Sequence, residues 1–377
     1  MLNTERVSAT VDLKNIKENI LAVAERIPDD TKIMAVIKAD GYGHGAVAVA
    51  RTLADVDSLW GYAVATIDEA MEIVHIGCDK PILILGYVAP AMYGMAVANG
   101  IRIPIFDLHS ASKINAVANQ LGRKCKVHIK VDTGMGRIGI TPNKRGLEFV
   151  EQVSYMSGIE VEGIFTHFAR ADETDKSAAY EQLNAFKEFT DEIEKNGISI
   201  PLKHCANSAA IIDMPELHFD IVRSGIITYG LWPSDEVNKD SIKIKPAMEI
   251  KSSVIFIKDV PAGTAISYGG TYITDKETRI ATVSIGYADG FPRSLSNKGV
   301  VLIRGKRYNV VGRVCMDQLM VDIRMNDEIS VGDIVTVVGR DGDEEITMDE
   351  FAKLSDRINY EAVCDIGKRV PRVYRRG

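Results

Sequence analysis

A lysine at the end of an apolar segment is the first feature of this sequence that could perform chemistry. Residues 33–37 are all apolar, Lys38 follows them, and three glycines interrupt the chain before a helical pattern begins at Ala46. Lysine is rarely buried without a partner or a function. A desolvated ε-amine has a lowered pKa and can attack a carbonyl to form a Schiff base. A side chain that merely extends to water is an equally simple interpretation of the same pattern.

The elements that would position Lys38 follow a regular order along the first part of the chain. Eight apolar segments are predicted strands that alternate with helical patterns, and they cover residues 33–37, 59–65, 81–86, 101–106, 126–131, 161–168, 202–206 and 221–222. The clearest helix is predicted for residues 177–195, with Tyr180, Leu183, Phe186, Phe189 and Ile193 in register. Eight strand–helix repeats predict an α/β fold whose N-terminal part is a (β/α)8 barrel of the TIM type. An open doubly wound sheet is the alternative, but the glycine spacing near Lys38 is not that of a dinucleotide-binding loop.

The rest of the chain has a different pattern. Short predicted strands between Gly, Asp and Asn turns cover residues 248–260, 279–285, 299–303, 308–314, 318–323 and 333–338, and only residues 348–355 are typical of a helix. We therefore predict two domains, a barrel domain at residues 1–240 and a mostly-β C-terminal domain at residues 241–377. Residues 2–12 alternate weakly between apolar and polar and are predicted to form an edge strand.

The composition limits the classes of protein that need to be considered. The 377 residues carry a formal net charge of −7 and are 46% hydrophobic, as in ordinary globular proteins. An acidic chain is a poor partner for nucleic acid, and no apolar run is long enough to span a bilayer. The five cysteines are scattered and suggest neither a disulfide framework nor a zinc motif, and no signal peptide is recognisable. We expect a cytoplasmic protein with reduced thiols, no metal, and no membrane or nucleic-acid partner.

Polar residues at the carboxyl ends of the predicted barrel strands are candidates for a site, because barrel enzymes place their active sites at that face. The polar candidates are Lys38, Tyr42, Lys130, Arg137, His167, Ser208 and Arg223, and the adjacent Gly225 and Ile226 are included with them. Phosphate groups in such barrels often bind the loops after strands seven and eight, where Ser208 and Gly225 lie. A nucleophilic lysine facing a phosphate site indicates a phosphate-bearing aldehyde cofactor, and pyridoxal phosphate satisfies both requirements.

Nine motifs, in order along the chain, resemble those of the alanine racemase family. They are AVIKADGYGHG (35–45), KVDTGMGR (130–137), THFA (166–169), HCANS (204–208), RSGI (223–226), SYGGT (267–271), GYADG (286–290), RVCMD (313–317) and RINYE (357–361). The first resembles the family's attachment motif for pyridoxal phosphate. The resemblance extends over nearly the whole chain, including the predicted β domain. It implies the two-domain fold described above, pyridoxal phosphate as the cofactor and alanine as the substrate.

The resemblance also implies roles for individual residues. Lys38 would bind the cofactor and act as one base, and Tyr268 would act as the second base from the opposite face. Racemisation needs two such groups because a proton leaves one side of Cα and returns on the other. His167 and Arg223 resemble the network that supports the tyrosine, and Arg223 would face the pyridine nitrogen. In the family the tyrosine comes from the partner subunit, so we expect a homodimer with shared active sites.

Further site residues follow from the same motifs. Those that resemble cofactor ligands are Lys38, Tyr42, Ser208, Arg223, Gly225, Ile226 and Tyr360. Arg137 and the backbone N–H of Met316 resemble the contacts to the substrate carboxylate and to the cofactor's phenolic oxygen. Lys130 matches a lysine that can be carboxylated, and the resulting carbamate would orient Arg137. A narrow corridor to the site would be lined by Asp172, Tyr287, Arg293, Arg313 and Ile358.

The function implied by the resemblance is interconversion of L- and D-alanine, supplying D-alanine for peptidoglycan. A serine racemase of the same family is one alternative, although Tyr360 resembles the alanine type. A pocket that excludes one hydroxyl discriminates only modestly, so we expect some activity on serine. A non-catalytic pyridoxal-phosphate-binding protein is a second alternative, but such single-domain barrels lack a β domain with Tyr268. Amino-acid decarboxylases share the two-domain plan, and the motifs at residues 267–271 and 315–317 fit them less well than the racemase.

Overall fold

The structure, a computed structural model, describes residues 6–325 and 327–376. These residues form two compact units. The barrel unit consists of residues 15–41 and 45–245, and the β unit consists of residues 6–14, 42–44, 246–325 and 327–376. A short part of the lysine motif is therefore grouped with the C-terminal sheet, and the division into domains at residue 240 stays a prediction.

Eight parallel strands form the core of the barrel unit. They are β2 (Lys32–Val36), β3 (Leu59–Val64), β4 (Ile82–Ile84), β5 (Ile103–Ile105), β6 (Cys125–Lys130), β7 (Ile159–Phe165), β8 (Leu202–His204) and β9 (Ile221–Ser224). One half has the order β4-β3-β2-β9 and the other the order β5-β6-β7-β8. The backbone N–H of Arg102 donates to Ile82 O at 2.8 Å, and that of Arg223 donates to Ala206 O at 2.9 Å, so the two halves are joined on both sides. The predicted barrel is confirmed.

Helices alternate with these strands along the chain. They are α1 (Leu13–Arg26), α2 (Ala46–Leu53), α3 (Ile67–His75), α4 (Tyr93–Ala98), α5 (Leu108–Gln120), α6 (Lys144–Ser154), α7 (Ser177–Lys195) and α8 (Ser208–Asp213). In α7 the apolar residues predicted to face inward are buried, except for Tyr180. Tyr180 is exposed and its hydroxyl donates to Glu216 instead. Gly197 follows α7 with a φ of +79°, a conformation that suits glycine at a helix end.

The β unit is built on one large, mainly antiparallel sheet. Its strands are β1 (Val7–Asp12), β10 (Met248–Val260), β11 (Ala265–Ile266), β12 (Tyr272–Ile273), β13 (Thr278–Val283), β14 (Val300–Ile303), β15 (Lys306–Asn309), β16 (Leu319–Asp322), β17 (Ile334–Asp341), β18 (Glu344–Ile346) and β19 (Arg372–Arg375). The longest path through the sheet is β15-β14-β17-β10-β1-β19, and β11 and β12 form a separate hairpin. These strands confirm the predicted mostly-β character of this part of the chain.

Strand β1 lies inside the sheet, so the prediction of an edge strand is wrong. It pairs antiparallel with β10 and parallel with β19. The side chains of Val7, Ala9 and Val11, which share one face of the strand, are all buried. An alternating pattern shows that a strand has one buried face, but it does not identify the neighbouring strands. Residues 2–5 of the predicted strand lie outside the described residues.

In the described part of the β unit, two α-helices accompany the sheet, where the sequence predicted one. Helix α9 (Met348–Leu354) was predicted, whereas α10 (Asn359–Cys364) was not. Six residues are too few to show a helical period, so the pattern of apolar residues gives no signal for α10. This short helix carries Tyr360. In the described part of the chain, no helix combines the length and the apolar character needed to cross a membrane.

Candidate active site

Lys38 begins a left-handed turn at the carboxyl end of β2. The segment Lys38–Tyr42 is hydrogen-bonded like a helix, but φ lies between +52° and +61° at the three residues after Lys38. This conformation costs non-glycine residues about 1–2 kcal/mol each, so neighbouring contacts must hold the turn. One such contact is the hydrogen bond from the Ala46 N–H to Asp40 Oδ1, which is 2.8 Å long. The side chain of Lys38 itself is half-buried.

Glu69 holds the beginning of this turn. Glu69 lies in α3, where it forms a capping box with Thr66. Its Oε1 accepts the backbone N–H of Ala39 at 2.7 Å, and its Oε2 accepts the backbone N–H of Ala65 at 2.7 Å. A single carboxylate therefore connects the Lys38 turn to the end of β3. Glu69 could not be recognised from the sequence as part of the site, because a glutamate in a capping box is common at the start of a helix.

The guanidinium of Arg223 is buried at the carboxyl end of the barrel. Its Nη1 donates to His204 Nδ1 at 3.0 Å. Its Nη2 donates to the carbonyl oxygens of Thr166 and Cys205 at 2.8 and 2.9 Å, and lies 3.2 Å from His167 Nδ1. Burial lowers the pKa of Arg223 to about 10, which still leaves the group protonated at neutral pH. Among the described residues no acceptor receives the Nε–H, so this donor can serve a bound ligand.

Positive charge is concentrated around Arg223. Burial lowers the pKa of His167 well below its ordinary value, and the charges of Arg223, Arg137, Lys130 and Lys38 lower it further. Burial and the charge of Arg223 also lower the pKa of Lys130 to about 8. His167 is therefore neutral, and part of the Lys130 population is an unprotonated amine near neutral pH. That these groups form a single site stays a prediction.

The loops after β8 and β9 meet, as the phosphate-site prediction requires. Ser208 is the first residue of α8, and its Oγ accepts the backbone N–H of Gly225 at 3.0 Å. Ile226 follows in a buried turn. Backbone N–H groups and a hydroxyl at two such loops suit a phosphate group. Together with the amine of Lys38 and the Nε–H of Arg223, this donor set fits pyridoxal phosphate.

Tyr42 and Tyr360 lie together within the β unit. Their ring centroids are 6.1 Å apart. Burial, with a smaller contribution from Cys364, raises the pKa of Tyr42, so its hydroxyl remains a hydrogen-bond donor at neutral pH. The adjacent Gly43 has a φ of +75°, and a Cβ at this position would lie 2.2 Å from Val363 O. Glycine is required there because the segment at residues 42–44 packs directly against α10.

Tyr268 projects from the surface of the β unit. Its side chain is 70% exposed. The preceding residue, Ser267, has φ +63° and ψ −174°, a conformation that is rare for residues other than glycine. Ser267 Oγ donates to the carbonyl oxygen of Arg313 at 2.6 Å. Two glycines, Gly269 and Gly270, complete the turn with φ of +73° and +55°. The turn therefore presents the tyrosine to its surroundings instead of burying it.

The other predicted residues of the β unit are also near its surface. Met316, Tyr287, Arg293 and Ile358 are exposed, and Arg313 is half-buried. Tyr287 and Arg293 line one open pocket together with Gly290, Pro292, Arg357 and Asp365. In the barrel unit, Asp172 is half-buried and its carbonyl oxygen accepts the hydroxyl of Ser234 at 2.7 Å. The corridor as a whole stays a prediction.

Three polar residues inside the barrel, His128, Glu162 and His204, were not predicted as site residues. His128 Nδ1 lies 2.9 Å from His204 Nε2, and His128 Nε2 lies 3.1 Å from Glu162 Oε2. Through His204 they are connected to Arg223. One signal was present: residues 126–130 alternate between polar and apolar, which places polar side chains on one face of a barrel strand.

Comparison with models of known protein families identifies the family of this chain. A family model described as "Alanine racemase, N-terminal domain" matches residues 11–233, and one described as "Alanine racemase, C-terminal domain" matches residues 247–374. The chain belongs to the alanine racemase family. An alanine racemase of Desulforamulus reducens is 47% identical over 370 residues, which is 98% of this chain and 99% of that protein. One of Methanococcus maripaludis is 47% identical over 368 residues, which is 97% of this chain and 98% of that protein.

Solved structures of the alanine racemase family have the same fold. The alanine racemase of Clostridium difficile 630 superposes with a TM-score of 0.95 at 43% identity, covering 100% of this chain and 97% of that one. The alanine racemase of Streptomyces lavendulae superposes with a TM-score of 0.93 at 35% identity, covering 100% and 98%. Membership of this family confirms the resemblance, the fold class and the expectation of an enzyme. The roles of individual residues stay predictions.

Proposed function

We propose that this protein interconverts L- and D-alanine with pyridoxal phosphate bound at Lys38. The observation that carries the proposal is that Lys38 follows strand β2 and Arg223 lies on β9, which pairs with β2 in parallel, so both residues are at the same end of the barrel. Relatives that match over nearly their full length are named alanine racemases, and this name indicates alanine as the substrate. When bound, the cofactor withdraws electron density from the substrate Cα and makes its proton removable.

Lys38 and Tyr268 are the two bases of this proposal. Lys38 Nζ takes up or returns the proton on one face of Cα, and Tyr268 Oη does so on the opposite face. Each group acts as the base for one enantiomer and as the acid for the other. A free tyrosine has a pKa near about 10, so Tyr268 needs a supporting network. His167 is suited to this task, since its lowered pKa keeps it neutral beside Arg223.

Arg223 sets the protonation of the cofactor's ring nitrogen. A guanidinium donates hydrogen bonds but does not release its proton. An Nε–H donated to the ring nitrogen would therefore leave that nitrogen without a proton of its own. The weaker electron withdrawal would limit side reactions such as transamination. The phosphate group would be held at the loops of Ser208, Gly225 and Ile226, with the hydroxyls of Tyr42 and Tyr360 as further donors.

The substrate carboxylate is bound by Arg137, whose planar guanidinium can donate two parallel hydrogen bonds. The backbone N–H of Met316 completes the contacts at the cofactor's phenolic oxygen. We assign to Lys130 a carboxylated side chain, in which the neutral amine attacks carbon dioxide, an N–C bond forms and one proton is released. The lowered pKa of Lys130, about 8, supports this step because it provides the neutral amine. The anionic carbamate then orients Arg137.

The working form is a homodimer with shared active sites. Tyr268 is supported as a residue of the partner's site by its exposure, 70%, on a turn that projects from the β unit. The large exposed side chains of Tyr287, Met316 and Ile358 are also typical of a surface that is covered in an assembly. The corridor through which a small amino acid enters is lined by Tyr287 and Ile358, together with Asp172, Arg293 and Arg313.

Alanine is the preferred substrate, because Tyr360 resembles the residue found in alanine-specific members. We expect slower activity on serine, since exclusion of one hydroxyl discriminates only modestly. We place the protein in the cytoplasm, where D-alanine is supplied for peptidoglycan. None of the five cysteines is in a disulfide, which favours a reducing compartment.

The direct test is incubation of the purified protein, loaded with pyridoxal phosphate, with L-alanine in D₂O. Deuterium at Cα by proton NMR, together with the approach to equal amounts of both enantiomers on a chiral column, is the expected result. L-serine in a parallel reaction measures the preference, and the Lys38→Ala variant is the inactive control. A protein that binds the cofactor but exchanges no Cα proton would overturn the proposal in favour of a non-catalytic binding protein.

A further inference from the structure

A continuous chain of hydrogen bonds crosses the interior of the barrel unit from Arg223 to Glu162. Its three links join Arg223 Nη1 to His204 Nδ1 at 3.0 Å, His204 Nε2 to His128 Nδ1 at 2.9 Å, and His128 Nε2 to Glu162 Oε2 at 3.1 Å. Both histidine side chains are completely buried, so water cannot replace a missing link. No role described so far uses Glu162 or His128.

The two imidazole rings are held in place by packing. Phe165 stacks on His204 with a centroid distance of 4.8 Å and an interplanar angle of 2°. Trp60 packs edge-on against His128 at 5.8 Å. A Cβ at Gly163 would lie 2.4 Å from His128 Nδ1, so the glycine makes room for the ring. Because neither ring can turn freely, the hydrogen-bonding partner of each nitrogen is fixed.

The acceptor end of the chain is an ionised carboxylate. Besides the link to His128, Glu162 accepts two hydrogen bonds from Arg102, of 2.9 and 3.1 Å, and one from Lys126 of 2.8 Å. Burial raises the pKa of the Glu162 carboxyl, but the hydrogen bonds and the adjacent cations outweigh it, and the net pKa lies far below the ordinary value. Glu162 can therefore only accept.

The opposite end, Arg223, can only donate. Burial lowers the pKa of both His128 and His204, which are therefore neutral. A neutral imidazole has one donor nitrogen and one acceptor nitrogen. Arg223 can only donate and Glu162 can only accept, so a single arrangement of protons allows all three links to form. In this arrangement both histidines carry the proton on Nε2.

We infer that Glu162 is a positioning residue, which acts through His128 and His204 to orient the guanidinium of Arg223. Because Glu162 can only accept, His128 must carry its proton on Nε2. His204 must then carry its proton on Nε2 as well. The Nδ1 of His204 therefore needs a donor, and Arg223 provides it. The consequence for catalysis rests on the proposed role of Arg223 at the cofactor's ring nitrogen. The arrangement of protons does not depend on that role.

Replacement of Glu162 by glutamine should reverse the link between Glu162 and His128. Arg102 and Lys126 both donate to the Oε1 position of Glu162, whereas His128 and one Arg102 nitrogen donate to the Oε2 position. The amide oxygen of glutamine will occupy the position with two cationic donors, so its NH₂ group will face His128 Nε2. His128 must then carry its proton on Nδ1, which opposes the Nε2–H of His204. The chain is broken before it reaches Arg223.

The experiment measures histidine tautomers in the pyridoxal-phosphate-loaded protein. Long-range ¹⁵N–¹H NMR of protein with ¹⁵N-labelled histidine distinguishes Nδ1–H from Nε2–H, and the His128→Gln and His204→Gln variants assign the signals. Wild type should show neutral Nε2–H rings at both positions. In Glu162→Gln, His128 should change to the Nδ1–H form, and kcat/KM for alanine should fall about tenfold or more. Glu160→Gln is the matched control, because Glu160 lies on the same strand and contacts the same Lys126 at 3.6 Å without touching a histidine.

The outcomes separate this inference from the proposed function. An Nδ1–H or imidazolium form of either histidine in wild type overturns the inference, whatever the protein's activity. Unchanged tautomers and unchanged kcat/KM in Glu162→Gln overturn it as well. If Glu162→Gln does not fold, neutron diffraction from crystals of the deuterated wild type locates the same protons and decides the question. Nε2–H rings in a protein that does not racemise alanine would support the inference and contradict the function.

Discussion

The backbone N–H of Ala39 donates a 2.7 Å hydrogen bond to Glu69 Oε1, so the residue that follows Lys38 is fixed by a carboxylate from another strand–helix repeat. The second oxygen of the same carboxylate accepts the backbone N–H of Ala65 at 2.7 Å. The left-handed turn after Lys38 is unfavourable by itself, so this anchor contributes directly to the position of the nucleophile. Glu69 needs no chemical role to be important for activity.

Glu69→Gln should weaken cofactor binding and lower stability by about 1–2 kcal/mol. Glutamine keeps one acceptor oxygen but turns an NH₂ group towards either Ala39 or Ala65, which leaves one backbone N–H without an acceptor. The measurements are a spectroscopic titration with pyridoxal phosphate and denaturant unfolding of the protein without cofactor. Glu72→Gln, at an exposed position of the same helix, is the control and should match wild type. Equal cofactor affinity in both variants would contradict the anchoring role of Glu69.

Tyr268→Phe should affect the two enantiomers unequally. Removal of Oη eliminates one of the two proposed bases, so racemisation should slow by about 100-fold or more. Exchange of the Cα proton in D₂O should persist from the enantiomer whose proton faces Lys38 and should nearly cease from the other. Tyr272→Phe, four residues further along the chain, controls for the loss of a hydroxyl in the same region. An equal loss of exchange from both enantiomers would count against the two-base scheme.

Ser267 provides a test of backbone strain beside Tyr268. Ser267→Ala loses the hydrogen bond to Arg313 O and keeps the unfavourable φ of +63°, whereas Ser267→Gly loses the bond and relieves the strain. We therefore expect the glycine variant to be the more stable of the two by about 1 kcal/mol, the reverse of the usual order. Thermal unfolding of both variants measures this difference. A more stable alanine variant would show that the conformation is not strained.

Lys130 should make stability depend on pH when carbon dioxide is excluded. Its folded pKa of about 8 lies below the pKa of about 10.4 of a free lysine, so between these two pH values the unfolded state binds more protons than the folded state. The free energy of unfolding therefore rises with pH across this window, by about 3 kcal/mol at most. Relative to wild type, Lys130→Met should be stabilised at pH 7.5 and should lose that advantage by pH 10.

Denaturant unfolding of wild type and Lys130→Met at the two pH values measures this change. Lys124→Met is the control, because Lys124 immediately precedes the same strand and is exposed. Addition of ¹³C-labelled bicarbonate should produce a carbamate NMR signal in wild type and Lys124→Met, but not in Lys130→Met. A stability difference that is the same at both pH values, with no carbamate signal, would contradict the assignment of Lys130.

The eight barrel strands could be predicted from the sequence because each is a buried apolar segment bounded by turns and helices. The residues at their carboxyl ends, among them Lys38, Ser208 and Arg223, could be placed at one face because parallel barrel strands all end there. The motif resemblance then added the residues outside the barrel, such as Tyr268 and Met316, whose local sequences alone indicate only turns.

What the sequence could not show depends on long-range pairing. The position of β1 inside the sheet is decided by contacts with β10 and β19, which lie at the far end of the chain. Glu162 and His128 are 34 positions apart and occupy neighbouring strands, so their contact follows from the relative register of β6 and β7. Alternation within a single strand can show that a residue faces the interior, but not which residue it meets.

The central claim, an active site made from Lys38 of one chain and Tyr268 of another, is tested most directly with hybrid dimers. Lys38→Ala and Tyr268→Phe proteins should each be nearly inactive alone. After mixing in equal amounts and allowing subunits to exchange, half of the dimers contain one chain of each kind, and each of these has one intact site. If the two residues come from different chains, about one quarter of the wild-type alanine racemisation rate should be recovered. A mixture that exchanges subunits and remains inactive would contradict it, because both residues would then act within the same chain.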